Sequence, residues 1–144
     1  MAEEAHKLQA EVLTPEGKVF EGEAFQISTR TVVGEIGIRA RHAPMLARLV
    51  PHELRIFEDA SDFDSSEGGQ RFASAEGWLE VFANKVTVLV GEAMRPDDLD
   101  TAELKARLED AEQRLSEAEE DSAQYAAAEQ SKARAEAFLE IAGG

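Results

Sequence analysis

Three neighbouring stretches, Lys85-Val-Thr-Val-Leu-Val90, Met94-Arg-Pro-Asp-Asp98 and Asp100-Thr-Ala-Glu103, hold the transition that decides how the chain folds. In the first, Val86, Val88 and Val90 alternate with other residues, the period of a strand with one buried face. Pro96 has no place in a central strand, and the acids after it suit the positive end of a helix. Asp100 then reads as an N-cap with a capping-box acid, Glu103, three residues on. Beyond it Leu104, Leu108, Ala111, Leu115 and Ala118 recur at spacings of four and three, predicting a helix about 28 Å long at ~1.5 Å per residue. The rhythm therefore changes from two residues to about three and a half at Pro96, and two domains are expected, 1–96 and 97–144.

Upstream, the same alternation recurs in Leu8, Ala10 and Val12, in Phe25, Ile27 and Thr29, and in Leu54 and Ile56. Turns are expected at Thr14-Pro-Glu-Gly17, at Gly34-Glu-Ile-Gly37, across the Asp- and Ser-rich run from Asp59 to Gly69, and at Ala83-Asn84-Lys85. Many short strands at close spacing point to an antiparallel β-sandwich or barrel. Downstream, the stripe stops near Glu119 to Ser122. Asp121-Ser-Ala-Gln124 opens a second helix carrying Tyr125, Ala128, Ala135, Leu139 and Ala142. A short loop makes the two helices an antiparallel α-helical hairpin in which leucines of one meet alanines of the other. Isolated short helices are marginal in water, so the hairpin is expected to lean on a partner surface.

The 144 residues include fifteen Lys and Arg against thirty Asp and Glu, a net charge of −15. That balance opposes binding to nucleic-acid phosphates and anionic lipid. The tail from residue 97 is the more acidic part, with fourteen acids and five bases. No run approaches the roughly 18 apolar residues of a membrane helix, and Met1-Ala-Glu-Glu-Ala-His-Lys7 has neither the basic start nor the apolar run of a secretion signal. A cytoplasmic protein without direct membrane insertion is expected. With no cysteine, disulfides and thiolate chemistry are excluded.

Catalytic motifs are missing. There is no Gly-x-x-x-x-Gly-Lys-Ser/Thr, no Gly-x-Gly-x-x-Gly and no Gly-x-Ser-x-Gly. His6, His42 and His52 lack metal-ligand spacing. Asp59, Asp62, Asp64 and Glu67 resemble a calcium loop only loosely, since the glycine is misplaced and Ala73 stands where the bidentate acid belongs. No enzyme, cofactor or metal is expected.

Leu13-Thr-Pro-Glu-Gly-Lys-Val-Phe-Glu-Gly-Glu-Ala24, Gly34-Glu-Ile-Gly-Ile38 with His42-Ala-Pro44, Glu76-Gly-Trp-Leu-Glu-Val81 and Asn84-Lys-Val-Thr-Val-Leu89 resemble, in order and spacing, the successive motifs of the epsilon subunit of bacterial ATP synthase. The resemblance implies a non-catalytic rotor part of the central stalk, one copy per complex, coupling proton-driven rotation to ATP synthesis. It implies a peripheral position on the cytoplasmic face of the cell membrane, bound to the gamma subunit and the c-ring. It also implies contact with the beta subunit if the hairpin extends, which would inhibit ATP hydrolysis. A Gre-like transcription factor, the competing reading, shares only the acidic tip Glu119 to Asp121 and has its domains in the opposite order.

In the family the loop matching Glu35 to Pro44 approaches the ring. Here Ala40-Arg41 replaces the usual Pro-Gly, and Arg39 stands where an apolar residue is common. Glu35, Arg39, Arg41 and His42 are thus candidate ring contacts, with the arginines pairing to ring acids; alternatively both arginines face water and His42 caps a turn. Some family members bind ATP on the hairpin. Asp100 and Arg134 match that pattern, but Glu103 and Asp110 fall where arginines belong and Met94 where an acid does, so weak or absent ATP binding is expected. Arg114, Lys132 and Arg134 are the candidate inhibitory contacts, on a tail whose net charge disfavours them.

Overall fold

The computed structural model describes residues 6–143. The chain forms two compact units, Met1–Met94 and Arg95–Gly144. The first holds ten strands among the described residues: β1 (Leu8–Thr14), β2 (Gly17–Ala24), β3 (Gln26–Thr31), β4 (Gly34–Arg39), β5 (Met45–Leu49), β6 (His52–Phe57), β7 (Gln70–Ser74), β8 (Gly77–Phe82), β9 (Lys85–Val90) and β10 (Ala93–Met94). They pair in the order β10-β7-β6-β3-β5-β8-β9-β1-β2, with β4 on the free side of β3.

This ladder folds over at one point. β3 pairs with β6 through Gln26–Ser28 but meets β5 only at Thr31 opposite Leu49. Two layers result: β5, β8, β9, β1 and β2 in one, and β10, β7, β6, β3 and β4 in the other. Alternating residues of both fill the space between them, including Ala10, Val12, Leu79, Val86 and Val88 from the first and Ile27, Ile38, Leu54, Ile56 and Phe72 from the second. The expected antiparallel sandwich is present, with one exception: β1 runs parallel to β9, Gln9–Leu13 against Lys85–Leu89.

Turn chemistry explains most of the hairpins. Thr14 Oγ1 donates to Gly17 O at 3.2 Å and accepts from Glu16 N–H at 3.2 Å. Thr31 repeats the device, donating to Gly34 O at 2.9 Å and accepting from Val33 N–H at 3.2 Å. Both turns close on a glycine in a region that L side chains rarely adopt, φ 130° at Gly17 and 136° at Gly34. The second turn corrects the sequence-based expectation: Gly34 to Gly37 are not a turn but the body of β4, and the chain reverses at Val32-Val33. Two glycines suggested a break that the Thr-x-x-Gly pattern places three residues earlier.

The run from Asp59 to Gly69 is the β6–β7 loop, with a 3-10 turn at Ala60–Asp64. Its acids serve the loop itself. Asp62 Oδ2 accepts from Glu58 N–H at 2.8 Å and Asp59 N–H at 3.1 Å, while Asp59 pairs with Lys7 at 3.0 Å. Phe63 stacks on Phe57 and meets Phe25 edge-on, closing the loop over this end of the sheet.

In the second unit, a 3-10 turn at Pro96–Asp98 precedes α1 (Thr101–Glu117) and α2 (Ala123–Gly143). Asp100 Oδ1 caps α1, accepting from Ala102 N–H at 3.0 Å and Glu103 N–H at 3.2 Å. The Glu103 carboxylate turns instead to Arg107, at 3.0 Å. Ser122 caps α2 through Tyr125 N–H at 3.0 Å, and Asp121 takes φ 68° in the connection. Leu104 and Ala111 are buried on α1, and Ala128, Ala135 and Phe138 on α2. Phe138 is more deeply buried than the expected Leu139, one residue round the helix. Among the described residues no helix is long and apolar enough to cross a membrane.

Gly77 opens β8 directly against β9, where an added Cβ would run into the Leu89 carbonyl oxygen and Val90 Cα. Backbone on both sides cannot yield as a side chain would. Gly77→Ala is expected to lower unfolding stability by roughly 2–3 kcal/mol, measured by urea denaturation.

Candidate functional site

Strand alternation puts Leu46 and Arg48 of β5, Trp78, Glu80 and Phe82 of β8, Lys85, Thr87 and Leu89 of β9, and Gln9, Glu11 and Leu13 of β1 on the outward face of their layer. Cross-strand register lines up Arg48, Trp78, Leu89 and Leu13 as one row across four strands. Leu46 remains 68% exposed, Phe82 64%, Leu89 48% and Trp78 47%. Scattered apolar residues on a surface are ordinary, but four large ones on one sheet face make it a candidate docking patch. Sequence reasoning missed it. The available signal was Trp78 and Phe82 on the phase that alternation assigns to water.

Beside this patch Glu11 ties three strands together. Its carboxylate meets Lys18 of β2 at 3.0 Å and Lys85 of β9 at 3.4 Å, and Lys18 also reaches Glu21 at 3.2 Å. The Lys18 hydrogen bond, aided by attraction to Lys85 and opposed by desolvation, lowers the Glu11 carboxyl below its ordinary 4.5.

The four candidate ring contacts do not form one cluster. Glu35 lies by the β3–β4 tip, with His52 Nε2 at 3.6 Å and Arg30 Nη2 at 3.9 Å. At that tip Val33 is 94% and Val32 57% exposed. Arg39 closes the far end of β4, about 13 Å away at ~3.3 Å per residue. Its Nε donates to Gln26 Oε1 at 2.7 Å, and its guanidinium lies 4.8 Å from the Phe25 ring centre and 5.8 Å from that of Phe63. Arg41 and His42 follow in the β4–β5 loop. Arg41 Nη2 approaches His6 Nδ1 at 3.3 Å, and His42 Nδ1 donates to its neighbour Ala43 O at 2.8 Å.

On the hairpin the candidate residues are engaged locally. The Asp100 carboxylate is a helix cap. Arg114 pairs with Asp110 at 2.9 Å and Lys132 with Glu112 at 3.9 Å. Arg134 is half-buried on α2.

Residues 7–96 match the family described as ATP synthase, Delta/Epsilon chain, beta-sandwich domain. The chain is 36% identical over 136 residues to the ATP synthase epsilon chain of Halalkalibacterium halodurans, covering 94% of this chain and 97% of that one. It is 39% identical over 137 residues to the epsilon chain of Persephonella marina, covering 92% and 94%. The fold is also that of a chain in the Euglena gracilis mitochondrial ATP synthase (OSCP/F1/c-ring), with TM-score 0.70, 22% identity and coverage of 96% and 82%. A chain of the Tetrahymena thermophila mitochondrial ATP synthase central stalk and c-ring matches with TM-score 0.59, 19% identity and coverage of 97% and 99%. The sandwich is therefore of the ATP synthase Delta/Epsilon class, with a helical hairpin after it. The chain belongs to the ATP synthase epsilon chain family, and the Gre-like alternative has no support.

A carboxyl lowered in the folded state adds stability that is complete above 4.5 and is lost as pH falls through its folded value. The stability gap between the wild type and Glu11→Gln, read from urea midpoints, is therefore expected to be full near neutral pH. It should shrink progressively as the pH is taken below 4.5, the carboxyl's ordinary value.

Proposed function

We propose that the chain is a rotor part of the central stalk of a rotary ATP synthase, coupling c-ring rotation to ATP synthesis, one copy per complex, peripheral on the cytoplasmic face of the cell membrane. As an epsilon chain it is a structural and regulatory component and not a catalytic one. The observation that carries the reading is the apolar outward face built by Leu46, Trp78, Phe82 and Leu89, which gives a rigid sheet a surface for the gamma subunit. A sheet suits this role because a load applied at its face is spread over the cross-strand hydrogen bonds.

The ring contact is proposed at the β3–β4 tip, where Val32, Val33 and Glu35 project together. Arg39, engaged with Gln26, Phe25 and Phe63, and Arg41 and His42, at the other end of β4, are not proposed for that contact. Arg41 N–H is bonded to Asn84, two residues after Phe82, and Arg41 and His42 are proposed for the gamma-facing side instead.

Trp78→Ser with Phe82→Ser is expected to weaken binding to the gamma subunit by roughly 2 kcal/mol or more, ~30-fold, as loss of buried aromatic anchors does. Val33→Ser with Glu35→Lys should leave gamma binding intact and weaken binding to isolated c-ring. Wild-type gamma affinity in the first variant overturns the reading of that face; wild-type ring affinity in the second overturns the tip assignment.

For the hairpin, we propose weak or absent ATP binding and little inhibition of hydrolysis through the beta subunit. Asp100 is occupied as a cap, and Arg114 and Lys132 already pair with acids of the hairpin itself. Calorimetry is expected to detect no ATP binding at micromolar levels. Deleting residues 97–144 should leave hydrolysis by the complex close to its intact rate, and a several-fold rise would establish an inhibitory arm.

A further inference from the structure

The β8–β9 hairpin turns through two residues with positive φ, Ala83 at 50° and Asn84 at 61°. Mirror-image turns of this kind match the twist of paired strands, and asparagine tolerates the left-handed region better than most residues. Asn84 does more than turn the chain. Its Oδ1 accepts from Arg41 N–H at 2.8 Å, its Nδ2 donates to Lys7 O at 2.9 Å, and its own carbonyl accepts from Gln9 N–H at 3.0 Å. Lys7 in turn holds Asp59 of the β6–β7 loop.

The loop that Asn84 grips is the one that carries the chain from β4 in one layer to β5 in the other. Within it Arg41 has φ 68°, a conformation unfavourable to a residue with a Cβ that needs an external hold to persist. Asn84 Oδ1 supplies that hold. An aspartate of the same length could accept from Arg41 N–H but could not donate to Lys7 O, and a glycine would keep the turn while losing both bonds.

We infer that Asn84 is a positioning residue for partner docking: it fixes the β4–β5 loop, which carries Arg41 and His42, against the turn that follows the exposed Phe82, at the end of the strands that bear the apolar face. The surface so formed fits a partner presenting a carboxylate next to an apolar patch. The inference rests on the proposed docking of the gamma subunit to this face, and deepens it.

The test measures gamma-subunit affinity of the full chain for Asn84→Gly, Asn84→Asp, Arg41→Ala and the double variant Arg41→Ala/Asn84→Gly, with amide exchange at Arg41. Asn84→Gly is expected to speed exchange of the Arg41 amide and weaken gamma binding about three- to tenfold, the scale of leaving one or two interface side chains unordered. Asn84→Asp, keeping the acceptor, should bind close to wild type. On the Arg41→Ala background Asn84→Gly should cost clearly less than it does alone, since part of its effect runs through the Arg41 side chain. Wild-type affinity in Asn84→Gly, equal losses in the Gly and Asp variants, or additive losses in the double variant each overturn the positioning role. Unchanged gamma binding by the Trp78→Ser/Phe82→Ser chain would instead overturn the docking face on which that role depends.

Discussion

Two hydrogen bonds fold the sandwich. Val32 N–H donates to Arg48 O at 2.9 Å and Val50 N–H to Arg30 O at 3.2 Å, on either side of the Thr31–Leu49 pairing. At that point β3 stops pairing with β6 and the ladder passes to β5, so one continuous run of strands becomes two facing layers. Alternation then has a meaning on both sides of the corner. Ile27 and Ile38 in one layer and Leu79 and Val88 in the other all point into the same gap. Without the corner the same pattern would give a flat sheet with an exposed greasy face.

The corner also settles where the two proposed partner surfaces sit. The Val32–Val33 tip is the continuation of β3 immediately past it, and Arg48, partner to Val32, belongs to the row that carries Trp78 and Leu89. A force on the tip reaches the apolar face through two backbone bonds and β5, with no flexible linker between. At the far end the layers are joined a second time by the β4–β5 loop. The short side chain of Asn84 keeps that crossing from being slack.

Much of this was legible in the residues. Val86, Val88 and Val90 are buried as their alternation requires, and Leu104, Leu108, Ala111 and Leu115 form the less exposed stripe of α1, with Ala118 at its C-cap. Asp100 caps that helix. Other features were hidden for identifiable reasons. Glu35, Arg39, Arg41 and His42 are close in sequence, yet a strand separates residues four apart by about 13 Å, so their proximity was an artefact of one dimension. The parallel pairing of β1 with β9 joins segments 76 positions apart, which no local pattern encodes. Trp78 was read as part of a family motif, and its outward phase, like that of Phe82, was passed over. Phe138 occupies the buried position for which Leu139 was the obvious candidate, because one step round a helix is 100° and a stripe of alanines leaves the phase loosely defined.

Charge divides the molecule in a way that composition alone conceals. The tail from residue 97 has fourteen acids and five bases, and the cations Arg107, Arg114 and Lys132 are each drawn to a carboxylate of the same unit. Exposed pairs of this kind add little stability, but they set each of these cations beside a carboxylate that an acidic partner would also meet. On the sandwich, Arg41 and His42 face no carboxylate at salt-bridge distance among the described pairs, while Lys18 and Lys85 stiffen the sheet through Glu11. The positive charge suited to recognising a partner thus lies beside the apolar face of the sandwich, and the hairpin of this acidic chain presents mainly carboxylates. That division places recognition on the rigid layer, where geometry is held by the core, and leaves the helical arm with little electrostatic pull toward acidic surfaces.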